Sequence, residues 1–305
     1  MIRVLFMGTP AYAKTILEAL WLSEEVEVVG VVSQPDKPVG RRQELTPPPV
    51  KESCLRLAPH TPLFQPENLK EERWAKEWRA LEPDFIVVAA YGKILPKVIL
   101  DIAPCINLHA SILPLYRGAS PIHESLRRGD AWSGVSAMRM EEGLDCGEVL
   151  GCSFVEIKEE WGVSRLFEEL ANRAAALTLK VLKRFSEIRP LPQVGADSSY
   201  CRKIRKEEGL VGFVNAKELY DQFRAYKVWP GIFLRSELKL KEITLLSETG
   251  EHHMGEILAI NKEGVVVGCK EGSLRILMVQ APSKKEVDAV SYVNGKRLGV
   301  GDILF

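Results

Sequence analysis

Apolar residues along the first two thirds of the chain fall into two alternating patterns. Short, continuously apolar or β-branched runs occur at Arg3–Met7, Val26–Ser33, Phe85–Ala90 and Ile106–His109, as buried parallel strands require. Between them apolar positions recur every three or four residues, which predicts helices at Ala11–Leu22, Val50–Leu57, Leu69–Leu81 and Pro121–Arg128. Thr9 reads as the N-cap of the first helix, with Pro10 at its first position. A longer helix is expected from Val163 to about Arg184, its stripe formed by Leu166, Leu170, Ala174, Leu177 and Val181. Strand–helix alternation of this kind predicts an open, doubly wound α/β sheet.

The pattern changes after a polar, proline-containing stretch at Arg189–Ser199, which reads as an interdomain linker. A helix near Ala216–Tyr226 precedes strand candidates at Gly231–Leu234, Lys239–Leu246, Gly255–Ile260, Gly264–Cys269 and Ser273–Gln280. Short strands separated by Gly or Asn turns suggest a small β-barrel. The expected organisation is therefore a domain over 1–188, a linker over 189–206 and a second domain over 207–305.

Composition adds bounds. At 305 residues, 46% hydrophobic and 27% charged, the chain can bury a sizeable core without metal or disulfide staples. A formal net charge of zero argues mildly against a nucleic-acid partner, although the part after Tyr200 carries a small positive excess. The six cysteines form no CxxC pair and no group with zinc spacing, so a metal-free protein with reduced thiols is expected. The first residues resemble a strand rather than a signal peptide, and no apolar run is long enough to span a bilayer, so a cytoplasmic location is expected.

Gly8-Thr9-Pro10 follows the first strand but fits neither a dinucleotide nor a P-loop fingerprint, and reads as a strand-to-helix turn. Asn107 and His109, two apart at the end of a strand, point to one face. An amide NH2 and an imidazolium meeting at the carboxyl end of a sheet are what a developing carbonyl oxyanion requires. A buried histidine and a turn cap are the plain alternative. Asp145, in Gly143-Leu144-Asp145-Cys146-Gly147, could sit beside His109, favour its charged form and relay a proton. It could equally cap a tight turn. No G-x-S-x-G elbow is present, and His252 and His253 would point to opposite sides of a strand.

The run from Asn107 through Ser111-Ile112-Leu113-Pro114 to Tyr116-Arg117-Gly118-Ala119-Ser120-Pro121-Ile122, with Asp145 downstream, resembles the 10-formyltetrahydrofolate-using formyltransferases. Ile112 stands where that family usually has Leu. Phe6–Pro10, Gln34–Arg41, Pro48–Lys51, Ala89–Pro96 and Val228–Gly231 narrow the resemblance to the branch that acts on methionyl-tRNA. The resemblance implies a Rossmann-like formyltransferase domain with a mostly parallel sheet, followed by a small OB-like β-barrel. It implies formyl transfer without a metal, from 10-formyltetrahydrofolate to the α-amino group of initiator methionyl-tRNA, by a protein expected to be a monomer.

By the same resemblance Asn107, His109 and Asp145 are the catalytic groups. Ser111, Ile112, Leu113 and Pro114 shape the folate site, and Tyr91, Gly92, Ile94 and Leu95 meet the pterin ring. A mobile loop over Asp36–Thr46, including Arg41 and Arg42, reaches the tRNA acceptor end, although Gln43 and Glu44 make it less basic than is usual. Lys203 and Lys206, with Arg202 and Arg205, add backbone contacts to the tRNA.

Overall fold

The computed structural model describes residues 1–40 and 42–304. In chain order its elements begin with β1 (Ile2–Gly8), α1 (Ala11–Trp21), β2 (Val26–Val32), β3 (Lys37–Val39), β4 (Glu44–Thr46), α2 (Pro49–Leu57), β5 (Leu63–Phe64) and α3 (Glu72–Ala80). There follow β6 (Phe85–Ala89), α4 (Lys97–Leu100), β7 (Cys105–His109), β8 (Arg117–Gly118), α5 (Pro121–Arg127), β9 (Trp132–Arg139), β10 (Val149–Glu156), α6 (Val163–Lys183) and β11 (Tyr200–Cys201). The last are α7 (Ala216–Tyr226), β12 (Ile232–Phe233), β13 (Lys239–Ser247), β14 (Ile257–Asn261), β15 (Gly264–Gly268), β16 (Ser273–Gln280), β17 (Val287–Asp288) and α8 (Ala289–Lys296).

The chain forms two compact units. The first comprises Met1–Pro121, Trp132–Glu156 and Phe167–Cys201, and the second Ile122–Ala131, Ile157–Leu166 and Arg202 onward. The stretch after α6 thus packs with the first unit, where Tyr200–Cys201 pairs in parallel with Arg117–Gly118.

A seven-stranded sheet of order β10-β9-β7-β6-β1-β2-β5 organises the first unit. From β7 to β5 all neighbours are parallel, whereas β9 and β10 add an antiparallel edge. The continuous apolar runs explain the parallel part. Val4–Met7 and Ile86–Ala89 are buried on both faces, which only a sheet covered on both sides can achieve. Chain order reverses between β1 and β6, so the ends of these strands, at Gly8 and Ala89, flank a topological switch point. Open α/β sheets bind ligands at such points.

Two details differ from the periodicity. Pro10, in extended conformation, is itself the N-cap of α1. The Thr9 hydroxyl instead donates to the Tyr91 carbonyl at 3.2 Å, joining the turns after β1 and β6. The strands β9 and β10 are not announced by an apolar run, because Ser133, Gly134, Ser136 and Ala137 are weak strand formers. Those four residues of β9 are buried nevertheless: the ladders to β7 and β10 impose the conformation that local preference does not.

The second unit is built on a six-stranded antiparallel sheet, with β12-β13-β16-β15-β14 in line and β17 paired to β16. The α7 helix is capped by the Asn215 side chain, which accepts from the Glu218 N–H at 2.9 Å, and it packs on β13.

Candidate active site

The pleat of β7 puts Asn107 and His109 on one face, and both reach the same carboxylate. The Asn107 amide donates from Nδ2 to Asp145 Oδ1 at 3.3 Å. Nδ1 of His109 stands 3.6 Å from Asp145 Oδ2, too far for a hydrogen bond and close enough for strong charge interaction. Both side chains are largely screened from water, with 7% of His109 and 12% of Asp145 exposed.

The other ring nitrogen of His109, Nε2, lies 2.8 Å from the Tyr116 carbonyl. A carbonyl only accepts, so Nε2 carries a proton and Nδ1 is the nitrogen facing the site.

Asp145 has a left-handed backbone, with φ of 50°. The turn that carries it is tight. A Cβ on Gly147 would lie 1.8 Å from the Arg139 carbonyl oxygen, so only glycine fits. Gly118 donates its N–H to Asp145 Oδ2 at 2.8 Å. With Asn107 on one oxygen and Gly118 on the other, the carboxylate is oriented towards the end of β7.

The loop after β7 is held from within. The Ser111 hydroxyl donates to the Leu115 carbonyl at 2.6 Å, and the Ser136 hydroxyl donates to the Ser111 carbonyl at 2.8 Å. The Leu113 N–H donates to the Ser136 hydroxyl oxygen at 3.0 Å, and the Leu113–Pro114 peptide is cis. Ser111 and Leu113 are buried, while Ile112 and Pro114 are half-buried and nearer the surface.

After β6 the chain turns sharply, through Ala90 at φ 43° and Gly92 at φ 83°. The side chains of Tyr91 and Leu95 enter the core beside Trp78 and Ile99, and burial pushes the Tyr91 phenol up to about 12. Gly92 and Ile94 are exposed, and nothing lies within 4 Å of where a Gly92 Cβ would sit. Of the four residues expected to meet a pterin ring, two therefore present surface and two hold the turn.

The segment expected to be a loop is a short ribbon. β3 and β4 pair from Lys37↔Thr46 to Val39↔Glu44, around a turn in which Gln43 N–H donates to the Gly40 carbonyl. Ladder hydrogen bonds form without apolar burial, which is why no periodicity marks it. At its base Asp36 accepts from Gln65 and Lys51, whose hydrogen bonds hold its carboxyl below the usual range. Arg42 is 89% exposed, 3.9 Å from Glu44, and Arg41 lies outside the described residues. Lys203 and Lys206 are exposed on the second unit.

Two contributors, Ser199 and Gln193, carried no sequence signal. Ser199 accepts the Tyr116 N–H at 2.9 Å through its hydroxyl, and Gln193 and Arg117 are joined beside the Asp145 turn. Arg117 and Gly118 lay in the recognised run, but nothing in the run said what they touch. Among the described residues no group of three or more His, Cys, Asp or Glu side chains could hold a metal ion, and no helix is long and apolar enough to cross a membrane.

Comparison with known proteins identifies the family. The family profile described as Formyl transferase matches residues 2–182, and that of the Formyl transferase C-terminal domain matches residues 203–297. The chain is 54% identical over 303 residues to the methionyl-tRNA formyltransferase of a Nitratiruptor species, covering 99% of this chain and 100% of that protein. It is 51% identical over 301 residues to that of Campylobacter curvus, covering 98% and 99%. Among solved structures, an N-formyltransferase from Helicobacter canadensis, in complex with folinic acid and dTDP-3-aminofucose, superposes with a TM-score of 0.67 at 16% identity, covering 90% of this chain and 99% of that one. HypX from Aquifex aeolicus, in complex with tetrahydrofolic acid, does so with a TM-score of 0.64 at 17% identity, covering 98% of this chain and 48% of that one. At such identities the structural likeness shows the fold alone.

Proposed function

The chain belongs to the formyl transferase family, in its methionyl-tRNA branch, and from that premise we propose how its residues perform the transfer. It moves a formyl group from a folate co-substrate to methionyl-tRNA. The donor is 10-formyltetrahydrofolate, and the acceptor is the α-amino group of methionine on initiator tRNA. The product is N-formylmethionyl-tRNA for translation initiation.

The observation that carries the reading is the meeting of Asn107, His109 and Asp145 at the end of β7. The neutral amine attacks the formyl carbon, a C–N bond forms, and the carbonyl electron pair moves onto oxygen. The Asn107 N–H that Asp145 does not engage, and a proton on His109 Nδ1, stabilise that oxyanion. Asp145 keeps the proton on His109 and relays the ammonium proton, through water, towards N10 of the folate. The oxyanion then collapses, the bond to N10 breaks and N10 leaves protonated. The Tyr91 carbonyl is taken by Thr9 and Gln34, so the open space beside Gly92 is what this turn offers to a flat heterocycle.

Residues 1–188 act as the catalytic domain and 207–305 as the tRNA-binding domain, and of the 189–206 stretch between them the part up to Cys201 packs with the catalytic unit. Arg41 and Arg42 contact the acceptor end, and Lys203 and Lys206 the phosphate backbone. The protein works as a monomer in the cytoplasm and needs no metal.

The test is transfer of labelled formyl to charged initiator tRNA, compared with small amine acceptors such as aminosugar nucleotides. The tRNA is expected to be formylated and the small acceptors not. His109→Ala and Asp145→Ala are each expected to lower turnover by about 10²-fold or more. Turnover near wild type in either variant removes that residue from the mechanism.

A further inference from the structure

Gln193 stands in the stretch between α6 and β11, 48 residues from Asp145 in sequence. Its Nε2 donates to two main-chain carbonyls, that of Asp145 at 3.0 Å and that of Gly147 at 2.7 Å. Its Oε1 accepts from Arg117, from Nε at 2.9 Å and Nη2 at 2.7 Å. Arginine only donates and carbonyls only accept, so these four bonds leave the amide one orientation. Arg117 is 5% exposed, and its Nη1 donates to the Tyr200 hydroxyl at 3.2 Å.

The arrangement grips Asp145 at two points. Gly118, the residue after Arg117, holds the carboxylate, while Gln193 holds the carbonyl of the same residue. The left-handed backbone of Asp145 is one that among L-residues mainly Asp and Asn adopt, and released carbonyls would let the turn relax. A side chain here must accept on one side and donate twice on the other. Glutamate lacks the donors, and asparagine lacks the reach.

We propose that Gln193, clamped by Arg117, is a positioning residue that fixes Asp145 relative to His109 during formyl transfer. It acts through Asp145, so the inference rests on the role given to Asp145 above. The polar stretch after α6 is then a working part of the catalytic unit.

Gln193→Glu is the discriminating variant, because it keeps length and the oxygen facing Arg117 but loses both donors. Misplacing a catalytic group by about an ångström costs on the order of 10²-fold in rate, and a fall in kcat of about that size is expected. The KM values for 10-formyltetrahydrofolate and methionyl-tRNA should stay within about twofold, since neither is bound by this amide. The pH profile of kcat should be displaced, because Asp145 takes part in proton transfer in the mechanism proposed above. Val194→Ala, altering an exposed neighbour, should behave as wild type. Gln193→Met, of similar length and uncharged, is read in the same way should the glutamate variant not fold.

Gln193 variants with kcat within about threefold of wild type overturn the proposal. A fall in kcat with an unmoved pH profile and a parallel fall in Tm also overturns it, since that is the behaviour of a structural residue. The two readings separate cleanly. An active Asp145→Asn enzyme defeats the role of Asp145 itself; an inactive one beside active Gln193 variants defeats only the positioning role.

Discussion

Gly118 reaches Asp145 across 27 residues of sequence, its backbone N–H donating to Oδ2 at 2.8 Å. It does so from a backbone at φ 112°, where a Cβ would lie 2.3 Å from the Cys201 carbonyl oxygen. One residue thus joins the strap formed by β8 and β11 to the carboxylate.

Gly118→Ala is accordingly expected to damage both fold and chemistry. Strain at a positive φ costs about 1–3 kcal/mol, and the clash with a main-chain oxygen adds to it. Thermal unfolding should show a Tm lowered by about 5 °C or more, at about 2–4 °C per kcal/mol for a unit of this size. Turnover of the folded fraction should fall as well, and an alanine variant with wild-type Tm and kcat would contradict the contact.

Asn107→Ala removes a donor from the forming oxyanion and frees Asp145 Oδ1. Single-turnover formylation should slow by about 10²-fold, the usual cost of one oxyanion donor. Folate affinity, measured by titration, should change little, because the loss lies in the transition state.

Arg42 is exposed on the β3–β4 ribbon and its ion pair with Glu44 is long, so Arg42→Ala should leave Tm within about 4 °C, as surface pairs contribute about 0–1 kcal/mol. The expected loss is in discrimination: the preference for initiator over elongator methionyl-tRNA should narrow by about tenfold, the scale of one good arginine contact. An equal change for both tRNAs would remove Arg42 from recognition.

Hydrogen bonds from Gln65 and Lys51 depress the Asp36 carboxyl, so the sign of its pH dependence is fixed. A carboxylate favoured in the folded state contributes in full above the ordinary value of about 3.9 and loses that contribution as pH falls through its lower folded value. The base of the ribbon should therefore stay tied throughout the neutral range. Carboxyl NMR should find Asp36 titrating below about 3.9 in the wild type and closer to it in Lys51→Met.

Local order was written in the sequence. A period of two placed Asn107 and His109 on one face, the apolar runs at Val4–Met7 and Ile86–Ala89 became fully buried strands, and the leucine stripe became α6. These signals are readable because strand and helix periodicities relate residues one to four positions apart. The aspartate, too, was legible through the family motif. What touches it was not. The sheet order brings the end of β7 against the turn after β9, and the return of the chain at Tyr200–Cys201 delivers Gln193 and Ser199 to the same place. Hydrogen bonds between residues tens of positions apart leave no spacing in the sequence, because they depend on where the packed sheet carries each loop end.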